Sequence, residues 1–262
     1  TPLYSSAASD VYKRQLRVVG ARAELSINDR PAWVVDDLPI ETGFVGIQSE
    51  VPLGGQFEFR QIVITELDSE SLFDGLSLTG WTVVDTAKPA KSWRVDDGRL
   101  VTGGDNSWLR YDEPIEDLQL RLEYRLPVHG NSGVYIRVPE DGAHHGAGAG
   151  VEIQILDDAD PDYATLEAYQ YSASLYDFAG ADPRVSRPAG EWNVLEISVI
   201  GGHFVVRHNG EQVVDIDAAE NPELALRKAD GYFGLQDHGA GVEFRRIRRV
   251  RSLDGATADD SR

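Results

Sequence analysis

The sequence predicts an all-β protein, a sandwich or jelly roll with few short helices. Apolar residues alternate along many short stretches, turn dipeptides separate those stretches, and convincing helical periodicity is scarce. Short strands at regular spacing with turn signals between them are the pattern of sandwiches and jelly rolls.

The elements can be justified in chain order. Leu72–Trp81 (LFDGLSLTGW) and Trp93–Leu100 (WRVDDGRL) read as short edge segments with turns built on Asp-Gly. Gln119–Leu126, Gly133–Val138 and Val151–Leu156 show the near-alternation of strands. Between the last two lies Gly142–Gly150 (GAHHGAGAG), a flexible loop. Tyr163–Glu167 and Pro222–Arg227 can each make one or two helical turns. Val194–Ile200, His203–His208 and Val242–Ile247 are further strands, with Gly201-Gly202 and Asn209-Gly210 as turns. Asn-Gly between alternating apolar residues is the strongest short hairpin signal.

The chain also echoes itself. RVVGARAELSINDRPAWVVD, GFVGIQSE and FEFRQIVITEL, within Arg17–Leu67, parallel SVIGGHFVVRHNGEQVVDID, GYFGLQDH and VEFRRIRRVRSL, within Ser198–Leu253. Gly43, Gly46 and Gln48 match Gly231, Gly234 and Gln236, and Glu58, Phe59 and Arg60 match Glu243, Phe244 and Arg245. A repeat of this kind bears on the whole fold. It predicts a complete domain over 70–253, preceded over 16–68 by the C-terminal remnant of a sister domain. Residues 1–15 match neither strand nor helix periodicity and are expected to be a non-native or disordered lead. Residues 254–262 are expected to be a disordered tail.

Composition bounds the function. The 262 residues include 44 Asp and Glu against 25 Lys and Arg, for a formal charge of −19, with no Cys and no Met. The absence of Cys excludes a disulfide scaffold, a thiolate nucleophile, a Cys-ligated zinc and an iron–sulfur cluster. The charge makes a nucleic-acid backbone an unfavourable partner. No run approaches the ~18 apolar residues of a membrane span. The C-terminal arginines, Arg245 to Arg251, are expected to pair with carboxylates along a closing strand.

LFDGLSLTGW, WRVDDGRL, NSGVYIRV, VEIQILDD, SLYDFAGA, PAGEWNVLEI, HNGEQVVDID and GYFGLQDHGAGVEFRRI, taken in order, resemble the 3-keto-disaccharide hydrolase family over about Leu72 to Val250. The resemblance implies a concanavalin A-like jelly roll and cleavage of glycosides whose sugar carries a ketone at C3. Some relatives are thought to be lyases or to use a divalent metal, so one divalent ion is a possible cofactor. Such cleavage needs a general base near C2, a cation or hydrogen-bond donor for an enolate oxygen, and a proton for the leaving group. A carbohydrate substrate, a tandem sister domain and a secreted or periplasmic location are expected, with any export signal outside this sequence. The alternative is a non-catalytic, lectin-like carbohydrate-binding module on the same sandwich.

Four constellations supply candidates. In VEIQILDD, Glu152 and Gln154 share one strand face and Val151, Ile153 and Ile155 the other. By themselves Glu152 and Gln154 read as a solvated outer face. With the resemblance, Glu152 becomes the expected base or metal ligand, with Asp157 at the strand end as a further ligand. In NSGVYIR, Asn131 and Arg137 are expected to place substrate, with Tyr135 and Arg137 facing one way. Arg137 equally reads as an ion-pair partner of Glu152. In Gln236-Asp237-His238, Gln48 of the echo retains the Gln while Ser49 and Glu50 replace Asp and His. Gln236 therefore reads as supporting the fold beside substrate, and His238 as the proton-transfer group or metal ligand. The long loop from Asp157 to Pro188 carries Tyr163, Tyr169, Tyr171 and Tyr176. Tyr176 is assigned to substrate binding through its aromatic face and hydroxyl. His144 and His145 lack a fixed carboxylate spacing and read as a solvated loop.

Overall fold

The computed structural model describes residues 12–39, 45–48, 58–65, 67, 69–84, 93–239 and 241–250. It divides into two compact units, Thr1–Ile64 and Thr65–Arg262. Among the described residues, nearly all regular structure is antiparallel β, with four single-turn 3-10 helices.

In the first unit, β1 (Arg14–Val19), β2 (Arg22–Ile27) and β3 (Arg30–Val35) form a three-stranded meander. The second unit contains thirteen strands among its described residues. They are β4 (Ser69–Ser71), β5 (Trp81–Val84), β6 (Trp93–Asp96), β7 (Arg99–Thr102), β8 (Trp108–Tyr111), β9 (Leu118–Arg125), β10 (Asn131–Val138), β11 (Val151–Leu156), β12 (Trp192–Ile200), β13 (His203–His208), β14 (Glu211–Asp217), β15 (Tyr232–Gln236) and β16 (Glu243–Val250). One sheet runs β11-β10-β15-β8-β5. The other runs β14-β13-β12-β9-β16-β7-β6, with β4 added against β16. The fold is the jelly-roll sandwich that the strand pattern predicts. The expected helix at Pro222–Arg227 is a single 3-10 turn, Leu224–Leu226. The one expected at Tyr163–Glu167 is replaced by two such turns on either side, Pro161–Tyr163 and Ala168–Gln170.

One buried cluster joins the inner faces of both sheets. Val151, Ile153 and Ile155 of β11, Val134 and Ile136 of β10, and Phe233 and Leu235 of β15 meet Leu195, Ile197 and Val199 of β12 and Leu120 and Leu122 of β9. Alternation then sends Glu152, Gln154, Tyr135, Gln236 and Trp108 to the opposite face of the five-stranded sheet. The closing strand is balanced by charge: Arg245 and Arg246 bind Glu123 at 2.7 and 2.9 Å, and Arg249 binds Glu70 at 3.0 Å.

The meander repeats the geometry of β12–β14 at a constant offset. Ile27 faces Arg30 across a turn with Asn28 at φ 51°, as His208 faces Glu211 across a turn with Asn209 at φ 50°. The register then slips at the same step, from Ser26–Pro31 to Leu25–Trp33 and from Arg207–Gln212 to Val206–Val214. In each turn the Asn amide oxygen accepts from a backbone N–H at 2.9 Å, that of Lys13 or that of Val194. The Asn N–H donates back to the same residue's carbonyl. The correspondence stops there. Gln48, Glu58, Phe59 and Arg60, the counterparts of residues in β15 and β16, lie in no strand, and Ser49 and Glu50 fall outside the described residues.

His208 is fully buried, with Nε2 2.9 Å from the Tyr124 hydroxyl. Burial lowers its pKa from 6.5 to about 4, with the Arg187 charge adding to the shift. The unfolded chain takes up a proton near 6.5 that the folded chain refuses until about 4, so stability falls as pH drops through that window. Melting temperatures measured from pH 7 to pH 4 are expected to fall less steeply for His208→Leu than for the wild type, whatever their absolute difference at pH 7. Equal slopes would refute this account.

Candidate active site

A cleft of about 500 Å³ lies on the outer face of the five-stranded sheet. Glu152, Gln154, Asn131, Tyr135, Gln236 and Trp108 supply its sheet wall, and the loop between β10 and β11 adds Asp141, Gly142, His144 and His145. Asn106, Tyr176, Asp237 and His238 complete much of the rim.

Glu152 lines this cleft from β11. It is only 5% exposed. Its carboxyl sits over Gly133, where a Cβ would stand 1.9 Å from Oε1, so only glycine leaves the seat empty. Its cross-strand partner is Tyr135. The outer edge of β11 is covered by the segment around Leu175: Gln154 donates to the Ser174 carbonyl at 3.0 Å and Tyr176 to the Glu152 carbonyl at 2.9 Å. That pairing removes an open sheet edge and carries Tyr176 to the cleft. Desolvation raises the Glu152 pKa from 4.5 to about 8, and the negative charge of Asp177 adds to it.

His144 closes over this carboxyl. Its Nε2 is 3.5 Å from Glu152 Oε2, and its ring stacks on Tyr135 at 4.5 Å between centroids. Its Nδ1 is 3.0 Å from the Gly142 carbonyl, an acceptor, which places the proton on Nδ1 and leaves the Nε2 lone pair toward Glu152. Burial lowers the His144 pKa, so the ring is neutral where Glu152 begins to ionise. Arg227 holds the loop by donating to the His144 carbonyl at 2.8 Å.

Neutral donors surround the pair. Gln236 Nε2 donates to the Tyr135 hydroxyl at 2.8 Å, which leaves the phenol its own hydrogen to give. Burial and the nearby Glu152 charge push the Tyr135 pKa up, so it stays protonated. Asp237 is fully buried, and both carboxyl oxygens accept from Gly104 N–H at 2.8 and 3.1 Å, which pins the loop carrying Asn106. No Lys or Arg lines the cleft among the described residues.

Residues 68–249 match the model of the 3-keto-alpha-glucoside-1,2-lyase-like domain. The chain belongs to this family. A 3-keto-disaccharide hydrolase of Bacteroides thetaiotaomicron is 27% identical, over 70% of this chain and 78% of the relative. A Parabacteroides distasonis protein named as a glycosyl hydrolase has the same fold, with a TM-score of 0.63 at 22% identity over 72% of this chain and 98% of its own. A second from the same organism gives 0.61 at 25% identity over 69% and 98%.

In this 3-keto-alpha-glucoside-1,2-lyase-like domain, the cleft gathers Glu152, Gln154, Asn131, Tyr176, Gln236 and His238, the last exposed at the rim. Arg137 does not join them, correcting both readings of that residue. A β-bulge falls between Tyr135 and Val138, with Arg137 at φ 55°, and the alternation breaks there. The guanidinium instead donates to the Glu116 and Gly201 carbonyls at 2.5 and 2.7 Å and to Asp117 at 3.2 Å, fastening the chain before β9 to the β12–β13 turn. Asp157 also lies off the cleft, where its carboxyl accepts from the His129 N–H at 3.1 Å. Glu152, Asp157 and His238 therefore do not fit as a ligand set for a divalent metal. Among the described residues, the group whose ligand atoms do converge is His129, Asp160 and Asp162.

His144, Tyr135 and Trp108 were missed as site residues. Strand parity placed Tyr135 on the Glu152 face, and that signal was legible. The position of His144 was not, because a loop with four glycines over 142–150 has no period to read.

The glycine seat makes a direct prediction. Gly133→Ala forces the Glu152 carboxyl to move, and overpacking of this kind costs about 1–3 kcal/mol. Denaturant unfolding should show that loss, and a titration of Glu152 followed by carbon-13 NMR should show its pKa moving from about 8 toward 4.5. Burial also makes the native state favour protonated Glu152, so that preference supports folding fully below 4.5 and is lost as pH rises through about 8. Glu152→Gln should therefore raise the melting temperature at pH 9 relative to wild type and leave it nearly unchanged at pH 4.

Proposed function

We propose that this chain cleaves 3-keto glycosides by base-assisted elimination across C1 and C2, followed by hydration in the hydrolytic outcome. The observation that carries the reading is the buried carboxyl of Glu152, whose pKa is raised to about 8 and which shares its cleft with neutral hydrogen-bond donors. An efficient general base has its pKa near the working pH.

The C3 ketone acidifies the proton on C2. Ionised Glu152 takes that proton, the C2 electron pair becomes the C1–C2 double bond, and the C1–oxygen bond breaks. The leaving oxygen takes a proton from the Tyr135 hydroxyl, which Gln236 orients. This leaves an enone sugar; adding water across C1–C2, with OH to C1 and H to C2, gives net hydrolysis. The neutral Nε2 of His144 accepts from Glu152 once the carboxyl is protonated, holding it in place until the proton leaves.

A conventional glycosidase needs two working carboxyls about the anomeric carbon. Both Asp237 oxygens are committed to backbone N–H groups, which favours the one-base mechanism. The absence of Lys and Arg from the lining, beside Asp141, Glu152 and Asp237, favours an uncharged glycoside over a uronate or sugar phosphate.

Incubation with a 3-keto disaccharide should release the keto sugar or its enone and leave the parent alcohol intact. Glu152→Gln should lower kcat/KM by about 10²–10⁴-fold. In the wild type kcat/KM should rise with pH and level off above about 8, the pH at which Glu152 ionises. Binding without turnover would leave the lectin-like module, and cleavage of the parent sugar would indicate a conventional glycosidase.

A further inference from the structure

We propose that the indole N–H of Trp108 recognises the ketone oxygen of the substrate and thereby separates a 3-keto sugar from its alcohol. This deepens the elimination reading and rests on it.

Trp108 is 5% exposed and lines the cleft, yet its Nε1 is buried with no hydrogen-bond partner. Two other buried indoles of the same unit are satisfied. Trp81 donates to the Leu72 carbonyl at 2.7 Å, and Trp93 to the Ser107 hydroxyl at 3.2 Å. An indole N–H can only donate, and a buried donor left unmatched is destabilising. Phenylalanine would fill this wall without that cost.

The ring is placed with some precision. It lies over Gly234 of β15, where a Cβ would stand 2.4 Å from Cε3, and meets Tyr135 at 5.7 Å between centroids. Tyr135 is in turn opposite Glu152 and stacked on His144. The orphan donor thus belongs to the same aromatic wall as the proposed base. Its nitrogen is covered by the turn at Gly142, where a Cβ would stand 2.6 Å from Nε1. Gly142 has φ 77°; its N–H donates to the Pro139 carbonyl at 2.9 Å, and its carbonyl accepts from His144 Nδ1 at 3.0 Å. Contact between this N–H and substrate therefore requires the Gly142 turn to move outward.

The surroundings select the acceptor. Trp108 packs with Tyr135 and Val138, against Val84 and Tyr232. A hydroxyl accepting from Nε1 there would bring a hydrogen needing an acceptor of its own. A ketone oxygen brings none, so a donor-only group against an apolar wall matches an acceptor-only oxygen. The bond strengthens as C2 loses its proton and charge gathers on that oxygen.

The test compares wild type with Trp108→Phe, using a 3-keto disaccharide and its parent alcohol. Expected are a fall in kcat/KM on the keto sugar of about 10²-fold, a loss of about tenfold in the keto-over-alcohol binding ratio, and a melting temperature not below that of wild type. Equal weakening toward both sugars with a lowered melting temperature would make Trp108 merely structural and overturn the proposal, as would unchanged discrimination. The binding ratio needs no turnover. Wild type that prefers the keto sugar but does not cleave it would overturn the elimination reading alone.

Discussion

The cleft depends on keeping one carboxyl out of water. Glu152 projects from β11 onto a face that alternation would leave solvated, and three features dry it. Gly133 vacates the space beneath the carboxyl, the Ser174–Tyr176 segment covers the strand's outer edge, and His144 stacks on Tyr135 above it. Each is non-local in sequence. Together they raise its pKa to about 8, at the expense of fold stability wherever it ionises. The loss is tolerable because the inner face of the same strand is fully packed: Ile153 and Ile155 have no exposed surface.

With Arg137 turned away, no Lys or Arg side chain lines the cleft among the described residues. Its guanidinium is 3% exposed and fully engaged at the end of the sandwich. On the proposed mechanism, charge in the cleft is left to neutral dipoles: the Tyr135 hydroxyl, the Trp108 indole, and the amides of Asn131 and Asn106. In a water-poor site, dipoles fixed in advance need no reorganisation during reaction. A fixed cation would also pair with Glu152 and pull its pKa back down. The proposed mechanism uses this substitution of dipoles for charge twice, at the base and at the enolate.

Much of the fold was legible because strand signals are local. The alternation in QLRLEYRL, VEIQIL and HFVVRH places β9, β11 and β13 to within a residue or two, and the parity of VEIQIL alone puts Glu152 and Gln154 on one face. The site was legible where it rested on parity and illegible where it rested on breaks in parity. The bulge at Arg137 reverses a side chain without changing any residue type. His144 owes its position to backbone bonds from a glycine-rich loop, and Asp237 to the N–H groups of a turn more than a hundred positions away. A motif such as Gln236-Asp237-His238 marks a region correctly while its three members do three different things: orient a phenol, pin a loop, and stand at the rim.

The same distinction explains how far the internal echo reaches. The meander β1–β3 reproduces the turn, register slip and Asn clamp of β12–β14, all set by contacts between residues close in sequence. Its apolar face follows too: Leu16, Val18, Leu25, Trp33 and Val35 stand where Ile197, Val199, Val206, Val214 and Ile216 stand in the second unit. There that face is packed into the core, whereas Leu16 and Val18 are 53% and 50% exposed. Counterparts of β15 are different in kind. In the second unit β15 exists because β10 and β8, both far upstream in the sequence, flank it. Gly46 and Gln48 keep the residue types but form no strand. A hairpin carries its own partner within about twenty residues, and a central strand does not. Sequence similarity alone therefore transmits the meander, and Glu152, Tyr135 and Trp108 have no counterparts among the matched residues.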